Sequence, residues 1–333
     1  MTRIVALIVI VSVSLFGIHQ YRTRTITVPD YALSQSSGEI VIEIAQGATG
    51  SDIARILFKA DVVKSSAAFF RVAVADVRSA QISPGSHRLS RRIPAIVALD
   101  QMLDPSRITS LIKIKEGAWV SEIVDQLVKA GFVESQVIKA LNNITIPNGF
   151  IGREGILFPA QYSFAKGTSA KTALQSMVSA FSASAHTAGL DSLTKDFSPM
   201  DLLIISSLVQ AEGDIQDFAK ISRVIRNRLQ MGMPLQFDST VHFLTRTRGK
   251  VFLSIEATKT LSPYNTYLHL GLPPGPIGSP GLAAMRAALA PEAGDWIYFI
   301  TVKPGDTRFT DSSSQFLTWK IEYERNLRDG AFA

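Results

Sequence analysis

A glutamate in the second half of the chain is placed where its carboxyl group could act as an acid. Glu212 follows the run Leu202–Val209, which is apolar except for two serines. On a helix, Glu212 would share a face with Leu208 and Val209, because residues three and four apart are neighbours. Burial and the negative end of the helix dipole both raise the pKa of a carboxyl, and a carboxyl protonated near neutral pH can be a general acid. The alternative is a glutamate that points into solvent.

The helix that would carry this glutamate has clear boundaries in the sequence. Ser198 is a favoured N-cap, Pro199 fits the first helical position, and Asp201 can complete a capping box. Gly213 is typical of the left-handed residue that follows the end of a helix. We therefore predict a buried helix from Ser198 onward whose last turn carries Glu212.

Four short motifs occur in order around and after this helix. They are S-[LI]-V-x-x-E ending at Glu212, N-R-L-x-x-G-M-x-L-Q-x-D-x-T-V from Asn227 to Val241, S-P-Y-N-T-Y at 262–267, and G-L-P-P-G-P-I-x-x-P-G at 271–281. A second helix is expected from about residue 215 to 230. The many Pro and Gly residues at 271–281 predict a rigid loop whose backbone groups are left for ligands or for other loops.

Over residues 204–310, these motifs resemble the catalytic domain of the endolytic murein transglycosylases, the YceG-like family. Four ordered motifs make a chance match negligible. The resemblance implies a lytic transglycosylase, a lyase in which Glu212 protonates the oxygen between N-acetylmuramic acid and N-acetylglucosamine within a glycan strand. The muramic 6-hydroxyl then closes on its own anomeric carbon and gives a 1,6-anhydro end. One acidic residue can serve both steps, so a second carboxylate is not required as it is in most glycoside hydrolases.

The resemblance also implies partners. Peptidoglycan glycan strands would be the substrate, and cleavage of nascent strands would terminate their elongation beside peptidoglycan synthases. No cofactor is implied. The chain has no cysteine, and its five histidines form no HxxxH or HxH pair, so a metal site is not expected.

Polar residues between the predicted apolar helices are candidates for binding the glycan. They can hydrogen-bond or stack on sugar, and none has an evident partner in its own segment. We expect them to line one open groove with Glu212. The predicted substrate-binding residues are Asn227, Gln236, Asp238, Thr240, Tyr264, Asn265 and Thr266. Asp238 is also a candidate helix N-cap.

The chain departs from the family pattern at four positions. Gln210 stands where the family usually has a second Glu, and Ser239 stands where a Pro usually follows the Asp. Thr307 and Phe316 occupy positions where the family has histidines. These changes bear on rate and on auxiliary substrate contacts rather than on the identity of Glu212.

Two other functions are compatible with the same residues. A muramidase-type hydrolase would use water, with Asp214 or Asp238 as the second carboxylate. A non-catalytic scaffold would bind glycan on the same fold, and the missing histidines would suit it. Retention of Glu212 and the surrounding motifs argues against the scaffold.

An internal repeat precedes the catalytic motifs. The stretch from Ile42 to Ile53 is echoed by Ile112 to Ile123, at a constant offset of 70 residues. Each copy predicts a strand, a glycine turn and a helix, with Ser51 and Ser121 as N-caps. The first copy resembles a LysM-like unit.

The first residues predict a membrane anchor. Ile4–Ile18 is almost wholly apolar and is flanked by Arg3 and Arg22. Extension to Tyr21 approaches the length of a membrane span and puts a tyrosine at the interface. A cleaved signal peptide is the alternative, but no small-x-small cleavage site follows. We predict a single-pass cell-membrane protein whose catalytic domain lies outside the cytoplasm.

Together these features predict an α+β protein in five segments. They are an anchor at 1–24, a linker at 25–38, a LysM-like module at 39–110, a second repeat-like module with connecting helices at 111–195, and a catalytic domain at 196–333. The net charge of +6 is dispersed along the chain, so nucleic acid is not an expected partner.

Overall fold

A computed structural model describes residues 28–192, 194–248 and 253–332. The chain forms two compact units. Of the described residues, one unit contains 28–110 together with Ser163–Lys166, and the other contains Leu111–Tyr162 and those from Gly167 onward. Within the described residues, no helix is both long enough and apolar enough to cross a membrane. The predicted anchor at 4–21 lies outside them.

The first unit combines a two-stranded sheet with three helices. Strands β1 (Ser37–Ile44) and β2 (Gly85–Arg91) are antiparallel. The helices are α1 (Gly50–Lys59), α2 (Ser66–Ala75) and α3 (Ala95–Leu103), and 3₁₀ turns lie at Leu33–Gln35, Val77–Gln81 and Pro105–Arg107. Ile42 and Ile44 alternate with exposed residues and are buried, as predicted for a strand with one face in the core.

The second unit is mainly helical. Its helices are α4 (Val120–Lys129), α5 (Glu134–Asn142), α6 (Ala170–Ala188), α7 (Pro199–Glu212), α8 (Phe218–Gln230), α9 (Asp238–Thr245), α10 (Leu282–Leu289) and α11 (Ser313–Arg328). Strand β3 (Leu111–Lys113) pairs with β4 (Gln161–Ser163), and β5 (Tyr298–Lys303) pairs antiparallel with β6 (Asp306–Thr310). Two 3₁₀ turns lie at Ile215–Asp217 and Ala257–Lys259. The α+β class is therefore confirmed.

The two repeat copies begin their helices at equivalent positions. The N-caps are Thr49 and Trp119 instead of the predicted Ser51 and Ser121, which lie two residues later, inside the helices. The acidic residue three positions after each N-cap explains the shift. Asp52 accepts the Thr49 amide at 3.1 Å, and Glu122 accepts the Trp119 amide at 2.8 Å. Each carboxylate thus satisfies a backbone donor that has no partner in the helix.

The second repeat copy belongs to the same compact unit as the catalytic motifs. Trp119 is 7% exposed and packs in a cluster that contains Ile205 and Leu208 of α7. Its ring meets Phe243 of α9 edge-on, with centroids 5.9 Å apart. Residues 111–162 therefore belong to the same compact unit as 196–248 and 253–332, and the predicted boundary between 195 and 196 stays a prediction.

Candidate active site

Helix α7 is buried around most of its circumference, as its composition predicts. Leu202, Ile205 and Leu208 are fully buried, and the helix packs against α8, α9 and α10. Ser206 and Ser207 are also buried, and their hydroxyls donate to carbonyls one turn earlier in α7, which satisfies them in the core.

The start of α7 follows the sequence prediction and its end does not. Ser198 is the N-cap, Pro199 is the first helical residue, and Ser198 and Asp201 form a capping box. Gly213, however, is extended rather than left-handed, with φ of −168°. A Cβ at Gly213 would lie 2.4 Å from Ile221 Cδ1. The backbone angles of Gly213 do not call for glycine, and its missing side chain leaves room for Ile221 of α8.

Glu212 ends α7 with its carboxyl held by one side chain. The Ser239 hydroxyl donates to Glu212 Oε1. The pKa of Glu212 is raised to about 7, chiefly by burial and in smaller part by the negative charge of nearby Asp238. The Ser239 hydrogen bonds and the Arg228 charge act in the opposite direction. The residue thus has the protonation behaviour that the sequence predicts for a general acid.

Asp238 lies beside this carboxyl at the start of α9. It is the first residue of the helix, and Phe237, not Asp238, is the N-cap. One oxygen of the Asp238 side chain is already engaged, because Oδ1 accepts a hydrogen bond from the Tyr267 hydroxyl. Burial, followed by this bond to Asp238, raises the pKa of Tyr267. The phenol therefore stays protonated as a donor and fixes the Asp238 carboxylate next to Glu212.

Three of the predicted substrate-binding residues form a buried frame behind Asp238. Thr240, Asn265 and Thr266 are at most 2% exposed. Thr266 Oγ1 accepts the Phe237 amide at 2.9 Å and lies 3.0 Å from Thr240 Oγ1. Asn265 Nδ2 donates to two carbonyls of the same loop, at 2.9 and 2.8 Å. In this conformation the three side chains position the start of α9, and a direct sugar contact by any of them stays a prediction.

Asn227 and Arg228 tie the end of α8 to the segments around it. Asn227 Nδ2 donates to the carbonyls of Gly294 and Trp296 at 3.0 and 2.9 Å. Arg228 is 7% exposed, and its guanidinium donates to the carbonyls of Ile297 at 2.6 Å and Leu235 at 2.5 Å. The Asn227 amide is thus engaged by backbone, and its predicted role in substrate binding also stays a prediction.

The remaining two predicted residues are more accessible. Gln236 is exposed and adopts a left-handed backbone with φ of 53°. Its backbone N–H donates to the Thr266 carbonyl at 3.0 Å. Tyr264 is half-buried, and its ring lies 5.3 Å from that of Phe243. The hydrogen bonds between segments 236–240 and 265–266, and the contact between Ser239 and Glu212, bring these parts of the chain together around the acid.

Side chains of α7 also hold the Pro-Gly loop at 271–281. Ser207 Oγ accepts the Ile277 amide at 3.1 Å, and Gln210 Oε1 accepts the Gly281 amide at 2.9 Å. The second repeat copy closes on the same loop, where the Gly117 amide donates to Ser279 O at 2.7 Å and the Ser279 amide donates to Ala118 O at 2.9 Å. The loop is therefore fixed from both sides through its backbone, as its composition suggests.

A cavity of about 250 Å³ lies beside Ser239. Its walls include Gln210 and Ala211 from the end of α7, Trp119 from the second repeat copy, and Ile277 from the Pro-Gly loop. Glu212 is not among the residues that line it, so the carboxyl adjoins this cavity through Ser239. The sequence predicts an open groove with Glu212 on its floor, and that larger groove stays a prediction.

The late departures from the family pattern have ordinary packing roles. Thr307 Oγ1 lies 2.9 Å from Thr301 Oγ1 across the β5–β6 pair. Phe316 of α11 stacks on Tyr298, with ring centroids 5.1 Å apart.

In residues 28–192, 194–248 and 253–332, no three side chains of the metal-binding types come together to hold a metal ion.

Sequence reasoning missed the contacts that complete the acid's surroundings. Ser239 stands out in the sequence only as a replacement for proline, although a residue in the first turn of α9 is well placed to meet a carboxyl. Gln210 likewise stands out only as a departure, yet it anchors the Pro-Gly loop. Tyr267 stands in the 262–267 motif without an assigned role, and the structure shows that its hydroxyl donates to Asp238.

Comparisons with known proteins agree with the geometry. The model of the YceG-like family matches residues 42–320. The chain is 28% identical over 310 residues to the endolytic murein transglycosylase of Bacillus subtilis, and the match covers 86% of each protein. It is 32% identical over 184 residues to the enzyme of the same name from Streptococcus pneumoniae strain D39, covering 53% of this chain and 32% of that protein.

A solved structure has a similar fold. The crystal structure of a putative yceG-like protein from Listeria monocytogenes superposes with a TM-score of 0.58 at 27% sequence identity. The match covers 84% of this chain and 98% of the Listeria chain. The likeness therefore extends through both compact units and is not confined to the segment around Glu212.

Proposed function

The chain belongs to the YceG-like family, and from that premise we propose that it is an endolytic peptidoglycan lytic transglycosylase. The observation that carries the proposal is the Glu212 carboxyl, which burial keeps protonated to about neutral pH at the end of a buried helix. Residues of the 227–241 and 262–267 motifs lie near this carboxyl, and the 271–281 loop is hydrogen-bonded to Ser207 and Gln210 of the same helix.

The reaction needs one group that gives and then takes a proton. Protonated Glu212 donates its proton to the glycosidic oxygen between N-acetylmuramic acid and N-acetylglucosamine, and the bond from that oxygen to the muramic anomeric carbon breaks with its electron pair on oxygen. The resulting carboxylate accepts the proton of the muramic 6-hydroxyl as its oxygen bonds to the anomeric carbon. No water is consumed, and Glu212 returns to its protonated form.

The surroundings of Glu212 suit both halves of this cycle. Burial and Asp238 favour the protonated form that starts it, while Ser239 and Arg228 stabilise the carboxylate formed on proton transfer. Among the predicted sugar contacts, we assign direct binding to the accessible Gln236 and Tyr264 and to Asp238. Asn227, Thr240, Asn265 and Thr266 hold the frame that places them.

Product analysis tests this function. Purified glycan strands digested with the enzyme should yield fragments with 1,6-anhydro ends, each lighter by one water than the corresponding hydrolysis product in mass spectrometry. Fragments of intermediate length should appear before short ones, because cleavage is internal. Reducing ends would instead identify a muramidase, for which the fixed carboxylate of Asp238 beside Glu212 would be the second catalytic group.

The pH dependence of cleavage should follow Glu212. Its pKa of about 7 predicts that the protonated, acid-competent form is present below pH 7 and is lost as the pH rises through that value. We therefore expect kcat/KM to fall about tenfold per pH unit above pH 7. A profile that begins to fall near pH 4.5, the ordinary value for a glutamate, would show that another group is the acid.

We also propose a membrane location for the enzyme. The anchor predicted at residues 4–21 and the substrate outside the cytoplasm support a single-pass protein whose described residues are extracytoplasmic. The strand–helix unit of residues 39–110 is LysM-like and would add a glycan contact, and a peptidoglycan synthase would supply nascent strands.

Protease accessibility tests this topology. Protease added to intact spheroplasts should degrade the 36.2 kDa chain, while a cytoplasmic marker protein survives. Full protection of the chain would overturn the proposed orientation. Release of a shorter soluble form during growth would instead indicate a cleaved signal peptide.

A further inference from the structure

Ser239 is the side chain in direct hydrogen-bond contact with the proposed acid. Among residues 28–192, 194–248 and 253–332, no other side chain hydrogen-bonds to the Glu212 carboxyl. The bond joins Ser239 Oγ to one oxygen, Oε1. When the serine donates, Oε1 offers a lone pair and the carboxyl proton lies on Oε2, whereas a proton on Oε1 would reverse the bond and make Ser239 Oγ the acceptor.

The position of Ser239 on α9 places its side chain beside Glu212. Ser239 is the second residue of the helix, and its neighbour Asp238 is held by Tyr267. The next residue, Thr240, is fully buried and donates to Phe237 O at 2.7 Å. With both neighbours fixed, the backbone of Ser239 is held in place beside Glu212.

We propose that Ser239 is a positioning residue that keeps Oε1 of Glu212 as a hydrogen-bond acceptor, so that Oε2 carries the proton transferred to the glycosidic oxygen. This inference rests on the proposed lytic transglycosylase function. The hydroxyl does not touch the reacting bond. It orients the acid, and its hydrogen bond strengthens as negative charge develops on the carboxyl during proton transfer.

The charged groups around Glu212 define what the hydroxyl contributes. Asp238 from the start of α9 raises the pKa of Glu212, while Arg228 from α8 lowers it, and Tyr267 faces the same carboxyl from the 262–267 loop. The Ser239 hydrogen bond opposes burial and lowers the pKa. Loss of the hydroxyl should therefore leave a weaker acid in a less defined orientation.

The test compares Ser239→Ala with the wild type over the full pH range. We expect kcat to fall roughly tenfold, because a hydrogen bond to a charged group is lost, while KM changes little. The pH above which activity falls, called the alkaline limb of the profile, should rise by roughly one pH unit. A change in packing alone would lower the activity without moving this limb.

Three further variants sharpen the comparison. Ser239→Thr keeps the hydroxyl and should restore the wild-type profile. Ser239→Pro removes both the hydroxyl and the backbone N–H donor, at a position in the first helical turn where proline is accepted. The alkaline limb of its pH profile should therefore shift at least as far as that of Ser239→Ala. Ser135→Ala removes an exposed serine of α5 and should change nothing.

The outcomes separate this inference from the function on which it rests. An unchanged pH limb in Ser239→Ala, with Glu212→Gln inactive, would overturn the role of Ser239 and leave the enzyme's function intact. A fully active Glu212→Gln would overturn the function itself. A shifted limb in Ser239→Ala with rescue by Ser239→Thr supports the inference.

Discussion

Glu212→Gln should reduce glycan cleavage by roughly 10²–10⁴-fold, the usual contribution of a general acid. Glutamine keeps the shape of the side chain and can still accept the Ser239 hydrogen bond, but it has no proton of suitable acidity to transfer. The measurement is the initial rate of release of anhydro ends from purified glycan. A variant that retains a tenth of the wild-type rate would show that Glu212 is not the acid.

A second half-buried glutamate, Glu154, supplies the matched control. Burial raises the pKa of Glu154 to about 7 as well, and its carboxylate accepts the Val120 amide at the start of α4 at 3.0 Å. Glu154→Gln is therefore the same substitution of a similarly shifted carboxyl, at a place that lacks the surroundings of Glu212. Its cleavage rate should stay within a few-fold of the wild type.

The stability of Glu212→Gln distinguishes lost chemistry from lost folding. The folded-state pKa of about 7 lies above the ordinary value of 4.5, so ionised Glu212 disfavours the folded state. This penalty is absent below pH 4.5, grows as the pH rises, and reaches on the order of 3 kcal/mol above pH 7. The variant cannot ionise, so denaturant unfolding at pH 8 should find it more stable than the wild type, with the difference vanishing near pH 4.

Arg228→Met should give the largest loss of stability in the catalytic half of the chain. The guanidinium is 7% exposed and donates to the carbonyls of Ile297 and Leu235. Methionine fills part of the volume but leaves these buried acceptors without a donor, at about 1–3 kcal/mol for each group. We expect the free energy of unfolding to fall by roughly 3 kcal/mol, measured by urea denaturation.

The same substitution should impair catalysis in the molecules that stay folded. Arg228 fixes Leu235, which precedes the start of α9 and therefore bears on the placement of Ser239. It also contributes a positive charge near Glu212. Arg223→Met is the control, because Arg223 lies on the same helix and donates to the Glu292 carbonyl at a more exposed site. If Arg228→Met lost no more catalytic activity than Arg223→Met, Arg228 would have no special role in placing Ser239 and Glu212.

Sequence patterns predicted what depends on neighbours along the chain. Helix α7 could be located because its N-terminal capping box and apolar run are local signals. The raised pKa of Glu212 followed from the same two facts, since a carboxyl in the last turn of a buried helix is desolvated.

The differences came from side-chain contacts that capping rules and hydrophobic periodicity do not specify. Gly213 looked like a left-handed helix end, but its role is to admit Ile221 of α8. Asn265 looked like a free hydrogen-bonding group, but the loop folds back so that its own carbonyls use the amide. The contact between Ser239 and Glu212 spans 27 residues. Hydrophobic periodicity and capping rules carry no information about such pairings.

The pairing of the second repeat copy with the Pro-Gly loop limits how this protein could have been assembled by recombination. Gly278 packs against the Gly117 backbone so closely that a Cβ would lie 2.6 Å from the Gly117 carbonyl oxygen. A strand–helix segment from another protein that replaced 111–162 would have to follow the same backbone path at Gly117 and make the two hydrogen bonds to Ser279. It would also need a side chain that packs in the core as Trp119 does. The first copy belongs to a compact unit that includes Ser163–Lys166, and its Glu43 accepts the Lys166 amide at 2.9 Å. Exchange of the second copy alone between relatives should therefore be selected against.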